Sequence, residues 1–346
     1  MTSELKTEAQ YRAVKMDSSS SLKEFSQNRK KYYKKYILNE REEEEDTKAA
    51  TMGKLVETML MEPELFDEKF YLSICTSAPT GLMLEFVEAL YKHTNEATNE
   101  DGVVTRCFED LVQDAYKDSG FKIKVEAVLT KFIGSDSEIY YKEIREVRAK
   151  GLTVVATQDI LNAEKIVAEL KTNSITASIV NLVNSSRYSV YNQLQVEGYD
   201  VLDHNFKSMM DKMIADHTAK TIQVYDLKCT WSVENFYEEY YLYRRAYIQG
   251  HLYHQAAGFW ASEMGYGDYK ILYPKFIVCD STNYSSPLIY AMSETSMQDA
   301  LNGFTYKGKN YPGVEAIIKD LQWAVLSDTW NISRENHINN GVVNLG

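Results

Sequence analysis

Asp211, Asp226 and Lys228 are the residues of this chain whose types and spacing could do chemistry. Two carboxylates set close together repel one another unless a cation lies between them. Oxygen-only ligands favour Mg²⁺, with Mn²⁺ as the alternative, over zinc. A cation held this way can activate water, polarise a phosphoryl oxygen and screen a leaving group. The Lys228 ammonium would hold the attacking water or stabilise charge in the transition state. The expected chemistry is metal-dependent hydrolysis of a phosphodiester.

That convergence requires a hairpin. If residues 205–216 and 220–229 pair antiparallel around a reversal at Thr218-Ala219, Asp211 falls opposite Asp226. Their Cβ atoms would then be roughly 4.5–5.5 Å apart on one face. Strand alternation puts Lys228 on the face of Asp226 and turns Leu227 into the core. A slip of one residue would undo the arrangement, and the turn lacks the usual Asn-Gly signal. Taken alone, the three residues read better as charges on the solvated face of a hairpin.

The elements that must position them follow from pattern. From about residue 187 the chain reads as strands, RYSVYNQLQVEG, NFKSMMDKMIAD and KTIQVYDLKCT, followed by a tyrosine-rich helix over roughly 233–262. Strands return at ILYPKFIVCD and PLIYAMS, and a last amphipathic helix carries Val314, Ile317, Ile318 and Leu321. Upstream, SSSSLKEF at 18–25 caps and starts a helix. Over 47–61, Met52, Leu55, Val56 and Met59 form one apolar stripe, with Gly53 and Glu57 on another face, and Pro63 ends the segment. Residues 80–175 are largely helical. Met83, Phe86, Val87, Leu90 and Tyr91 form one stripe, and Val104, Cys107, Phe108, Leu111, Val112 and Ala115 another. A strand pair is expected near 121–142, and Thr157 as the cap of a helix through Leu170. The sum is an α/β fold with a central mixed sheet flanked by helices. It divides into an N-terminal helical part (1–75), a helical insertion or scaffold (76–175) and the sheet with C-terminal helices (176–346), forming a single domain overall.

Bulk properties narrow the classes. With 346 residues, 44% hydrophobic and 25% charged, the chain can bury a sizeable core. No apolar run is long enough to span a bilayer, and the polar N-terminus lacks a secretion signal, so a cytoplasmic location is expected. Cys75, Cys107, Cys229 and Cys279 form no C-x-x-C pair and read as buried reduced thiols. The net charge of −12 opposes indiscriminate coating of DNA but is compatible with a local basic channel. RKKYYKK at 29–35 and EREEEED at 40–46 read either as solvated surface or, for the lysines interleaved with Tyr32 and Tyr33, as a contact to a DNA backbone. No G-x-x-x-x-G-K-[ST], H-E-x-x-H or G-x-S-x-G occurs, so no nucleotide cofactor, simple metalloprotease or serine hydrolase is implied. His251 and His254, flanking Tyr253, are not read as metal ligands.

Four pieces in order resemble the PD-(D/E)XK nuclease superfamily, and within it the RecE-type (exonuclease VIII-like) and lambda-exonuclease-like phage recombination nucleases. SSSSLKEF resembles the S-x-S-x-L opening of RecE-type domains, and GKLVETMLMEPELF (53–66) resembles their G-x-x-x-H-x-x-x-x-x-P-E-x-F helix. MMD (209–211) and DLK (226–228) supply the acids and the lysine. QGHLY (249–253) matches the Q-x-x-x-Y of the RecB-like branch. The likeness runs from about residue 18 to 330, with a poorly matched middle third.

The resemblance implies a restriction-endonuclease-like core, with metal held by Glu57, Asp211, Asp226 and the Leu227 backbone carbonyl. Catalysis falls to Asp211, Asp226, Lys228 and Glu57. Glu57 departs from the histidine usual in RecE-type proteins, although lambda-type members carry an acid at a comparable place. A further family acid, on the preceding strand, appears here only as Asn192-Gln193, which receives no role. Gln249, Tyr253 and Arg245 share one helix face that would border the site and contact DNA, with Arg244 an equal alternative to Arg245.

The implied activity is a Mg²⁺-dependent exonuclease that resects duplex DNA ends 5′→3′ for recombination. It would work as a homo-oligomer with a single-strand annealing protein. The alternatives are an endonuclease or nickase on the same core, or a non-catalytic DNA-binding protein that keeps a nuclease fold.

Overall fold

The computed structural model describes residues 6–40, 47–75 and 77–343, so most of the acidic run at 40–46 lies outside the described residues. The chain divides into two units, one made of residues 1–62 and 165–346 and the other of residues 63–164.

The first unit is built on a six-stranded mixed sheet. Its main strands are β1 (Tyr188–Asp200), β2 (Asn205–Asp216), β3 (Thr221–Thr230), β4 (Lys275–Asp280) and β5 (Leu288–Ala291), hydrogen-bonded in that order. β1, β2 and β3 form an antiparallel meander; β4 joins β3 in parallel, and β5 returns antiparallel. A two-residue strand, Lys270–Ile271, also pairs with β3, and Pro274, which cannot donate to a ladder, separates it from β4. Parallel neighbours need a long crossover, and here it contains helix α3 (Ala246–Glu263). Helices α1 (Ser19–Gln27) and α2 (Lys48–Met61) precede the sheet, while α4 (Glu294–Asn302) and α5 (Val314–Ser327) follow it. One core joins α1, α3, α5 and the sheet: Leu22 and Phe25 of α1, Met210 and Met213 of β2, Ile248, Leu252 and Ala256 of α3, and Ile318 and Leu321 of α5.

The hairpin expected between β2 and β3 is present with the expected register. Lys212 pairs with Tyr225, Met213 with Val224 and Asp216 with Thr221. The turn works without Asn-Gly because Asp216 Oδ1 accepts the amides of Thr218 and Ala219, both at 2.9 Å, and Lys220 takes a positive φ of 50°.

Two expectations are corrected. The strand pair near 121–142 is absent; Val125–Phe132 and Asp136–Arg148 are helices. Val125, Val128, Leu129 and Phe132 recur at helical spacing, and Ser135 caps the second helix by accepting the Ser137 amide at 3.1 Å. The single helix over 233–262 is broken. A π-helical turn, Tyr237–Tyr243, ends at Arg244, and Arg245 has a left-handed φ of 55° before α3 begins. Stacking of Tyr237 on Tyr241 and of Phe236 on Tyr240 accompanies the wide turn.

The second unit packs Phe86, Val87, Leu90, Leu111, Val112 and Phe132 into a separate core, as the helical stripes anticipate, although Cys107 and Phe108 are exposed. A short parallel pair, Phe70–Leu72 with Thr153–Val155, completes it. The following helix begins at Thr157 itself rather than being capped by it.

Candidate active site

The β2–β3 ladder stops at Lys212 and Tyr225, so Asp211 and Asp226 lie just past its last rung instead of forming one. Asp211 Oδ2 accepts the Leu227 amide at 2.7 Å, standing where a ladder carbonyl would. On the β1 side, Gln193 has no rung between the Asn192–Lys212 and Leu194–Met210 pairs, and its φ is +47°. The core pattern of β2 slips at the same place. Phe206 and Met210, then Met213 and Ala215, face one core, so strand alternation breaks across Asp211-Lys212. The candidate centre therefore sits in a local irregularity of the sheet.

Asp226 is 1% exposed. Gln249 Nε2 donates to its Oδ1 at 2.7 Å, and its Oδ2 lies against the Lys228 ammonium as a close ion pair without hydrogen-bond alignment. Burial works against the charge on Lys228, but Asp226 and Asp211 outweigh it and raise the ammonium pKa. Asp211 is pushed well up by burial, then by the charges of Asp226 and Glu57; Lys228 and the Leu227 amide oppose the shift. Asp226 and Glu57 thus both act on Asp211 electrostatically, and the Lys228 ammonium acts against them.

Glu57 comes from α2, which packs on β3 at Gly53, where an added Cβ would lie 3.9 Å from Cys229 Cβ. Gln193 Nε2 donates to Glu57 Oε1 at 2.6 Å, while Gln193 Oε1 is buried with no partner. These donors (Glu57, Asp211, Asp226 and the Leu227 carbonyl, which accepts Lys228 Nζ at 3.4 Å) are all oxygens and fit a hard divalent cation by type. Among the described residues, no three His, Cys, Asp or Glu side chains stand close enough to hold a metal ion as they are placed. As placed, Asp226 meets Lys228 and Gln249, Asp211 meets the Leu227 amide, and Glu57 meets Gln193 among its contacts.

The row on α3 is partly as expected. Gln249 also donates to Tyr253 Oη at 2.9 Å, and the Tyr253 hydroxyl donates to the Met209 carbonyl at 2.7 Å. Burial, then Asp226 and Asp211, raise the Tyr253 pKa well up, so the phenol stays protonated as a donor. Arg245 does not share this face, because its left-handed backbone precedes the helix and its guanidinium donates to Ser26 Oγ on α1. Arg244 is exposed, over the Tyr240 ring at 4.5 Å.

Two residues escaped the sequence reading. Lys23, quoted only as part of a helix opening, places Nζ 3.5 Å from Gln249 Oε1. Burial, then the Lys228 charge, lower its pKa to about 8. Its one usable signal is a lysine directly after the buried Leu22. Gln193, given no role, holds Glu57; nothing in a glutamine announces the left-handed backbone that aims it. His251 and His254 lie away from this cluster, and burial holds the His251 pKa down at about 4. Cys229 and Cys279, 50 residues apart in sequence, are register partners on β3 and β4.

No helix among the described residues is long and apolar enough to cross a membrane. No protein-family model matches this chain, and no curated protein matches it. Among solved structures, a candidate exonuclease from Eubacterium rectale matches with 13% identity over 99% of this chain and 96% of that one, at a TM-score of 0.46. That likeness is too distant to carry an activity to this chain.

Proposed function

We propose that the protein is a metal-dependent deoxyribonuclease of the PD-(D/E)XK kind, acting as an exonuclease on duplex DNA ends. The observation that carries this reading is the buried Asp226 held between the Gln249 amide and the Lys228 ammonium, with Asp211 just past the same ladder end. A buried cluster of carboxylates is costly and is kept where a cation offsets it.

Glu57, Asp211, Asp226 and the Leu227 carbonyl would hold Mg²⁺ or Mn²⁺. Bound there, the ion would supply Lewis acidity toward a phosphoryl oxygen and toward water. The chain's own groups do the rest. Lys228 carries a fixed positive charge to the reacting phosphate, where charge grows in the transition state. Gln249 fixes the rotamer of Asp226, and Tyr253 anchors that amide to the β2 backbone. Gln193 restrains Glu57.

The test is digestion of end-labelled linear duplex with and without Mg²⁺, beside a covalently closed circle. Nucleotide release from the linear duplex only, dependent on Mg²⁺ and cut by about a hundredfold or more in Asp226→Ala and Lys228→Ala, is expected. Release that survives either substitution removes these residues from the site. A cut circle makes the enzyme an endonuclease.

A further inference from the structure

Beside the carboxylates runs a groove of about 620 Å³ whose charge is opposite to that of the chain. Lys23, Lys31, Arg244, Arg245 and Lys309 line it, with Glu24 as the carboxylate among the described lining residues. Glu24 is already occupied by Lys31 and Lys35, each at 3.3 Å. Three separate segments bring these cations together: α1 with the turn after it, the break at Arg244-Arg245, and the hairpin Gly303–Tyr306/Lys309–Pro312. The break that disrupts the expected long helix is what delivers two of them.

Lys23 is where groove and carboxylates meet. Its Nζ faces Gln249 Oε1 at 3.5 Å, and the same amide gives its Nε2 to Asp226 at 2.7 Å. One side-chain amide therefore separates this cation from the buried Asp226. Lys23 is half-buried beside another cation, an unfavourable position that an anion in the groove would relieve. Cations spread along a groove match a linear polyanion better than a single phosphate. Tyr243, 70% exposed, offers a ring face on which a base can stack.

We infer that this groove is the track for the DNA strand being cut, and that Lys23 is a positioning residue that grips the phosphate next to the scissile one. The inference rests on the nuclease reading for its substrate, but its test does not need hydrolysis. The shared ligand chemistry is a DNA phosphate, either an internal diester or a terminal monoester.

The experiment is fluorescence anisotropy of the full chain with labelled duplex in EDTA, with 5′-phosphate and 5′-hydroxyl versions compared. Lys23→Gln should raise Kd by about tenfold at low salt and reduce the slope of log Kd on log salt by about one, whereas Lys23→Arg keeps both. Arg244→Gln/Lys309→Gln, at exposed positions, removes two cations and should weaken binding likewise with the slope reduced by about two, which keeps the test open if Lys23→Gln proves unstable by thermal melting. Lys270→Gln, exposed and outside the groove, should change neither. Equal losses on both DNA ends identify an internal diester; a loss confined to the phosphorylated end identifies a monoester. Binding unchanged in the groove variants, equal weakening by Lys270→Gln, or equally tight binding of a polyglutamate peptide overturns the track. Groove-dependent binding without Mg²⁺-dependent hydrolysis would instead defeat the nuclease and leave the track standing.

Discussion

Replacing Lys228 with methionine isolates what the ammonium contributes. Methionine keeps most of the stem's apolar bulk and removes the charge. The pair is asymmetric: Asp226 has 1% of its side chain exposed and Lys228 has 22%. Removing one partner of a buried pair typically costs about 3–5 kcal/mol, because the other charge is left uncompensated. Partial solvation of Lys228 sets the expectation at the lower end, about 3 kcal/mol. At roughly 2–4 °C per kcal/mol for a unit of this size, Tm should fall by about 6–12 °C in EDTA at neutral pH. The double variant Asp226→Asn/Lys228→Met should recover most of that fall. Asparagine removes the orphaned charge and can still accept from Gln249. Circular dichroism melts of the wild type and both variants measure the coupling. A divalent ion that takes the place of the ammonium should also lift Lys228→Met, by about 2.7 kcal/mol at a hundredfold excess over Kd, and should lift the double variant less. A Lys228→Met melt matching wild type, or a double variant less stable than the single one, would refute the reasoning.

His251 should make the fold acid-sensitive above the carboxylate range. Its folded pKa is about 4, from burial and then His254, against 6.5 when unfolded. Above pH 6.5 both states are neutral and no penalty exists; as pH falls toward 4 the unfolded chain gains a proton that the fold refuses. About 3 kcal/mol should be lost over that window, and His251→Gln should flatten the urea-midpoint profile there. A parallel decline in the variant would place the titration elsewhere. Gly313→Ala should destabilise by about 3 kcal/mol in urea melts, since its Cβ would fall 2.2 Å from the Leu301 carbonyl oxygen and 2.3 Å from the Gly303 amide nitrogen. Among the thiols, exposed Cys107 should react first with a disulfide reagent at pH 8. Cys279, raised well up by its hydrogen bond with Cys229 and by burial, should react only on unfolding. A fast phase that persists in Cys107→Ser would contradict this.

What the sequence made legible was whatever a local rule controls. Period-two patterning located β2 and β3, and one assumed reversal at Thr218-Ala219 gave their register, because a slip would have exposed Met213 and Val224. The missing Asn-Gly had a local substitute in Asp216, whose carboxylate builds the turn. The i, i+4 spacing of Gln249 and Tyr253 also carried through, because α3 is regular there. The misses share a different physics. Arg245 and Gln193 adopt left-handed backbones that neither residue type favours, and tertiary contacts hold them there. Lys23 looked like one more polar residue on an opening helix; only its approach to Gln249, 226 residues away, gives it a role. Asp211 was assigned a regular rung and instead lies where the ladder fails. These departures cluster around one spot, and regular pairing would have filled that spot with backbone hydrogen bonds. By leaving the ladder, Asp211 brings a carboxylate to the Leu227 amide. By turning left-handed, Gln193 reaches Glu57, and by breaking the helix, Arg244 and Arg245 reach the groove. The places where local rules fail are thus the places where charge is gathered.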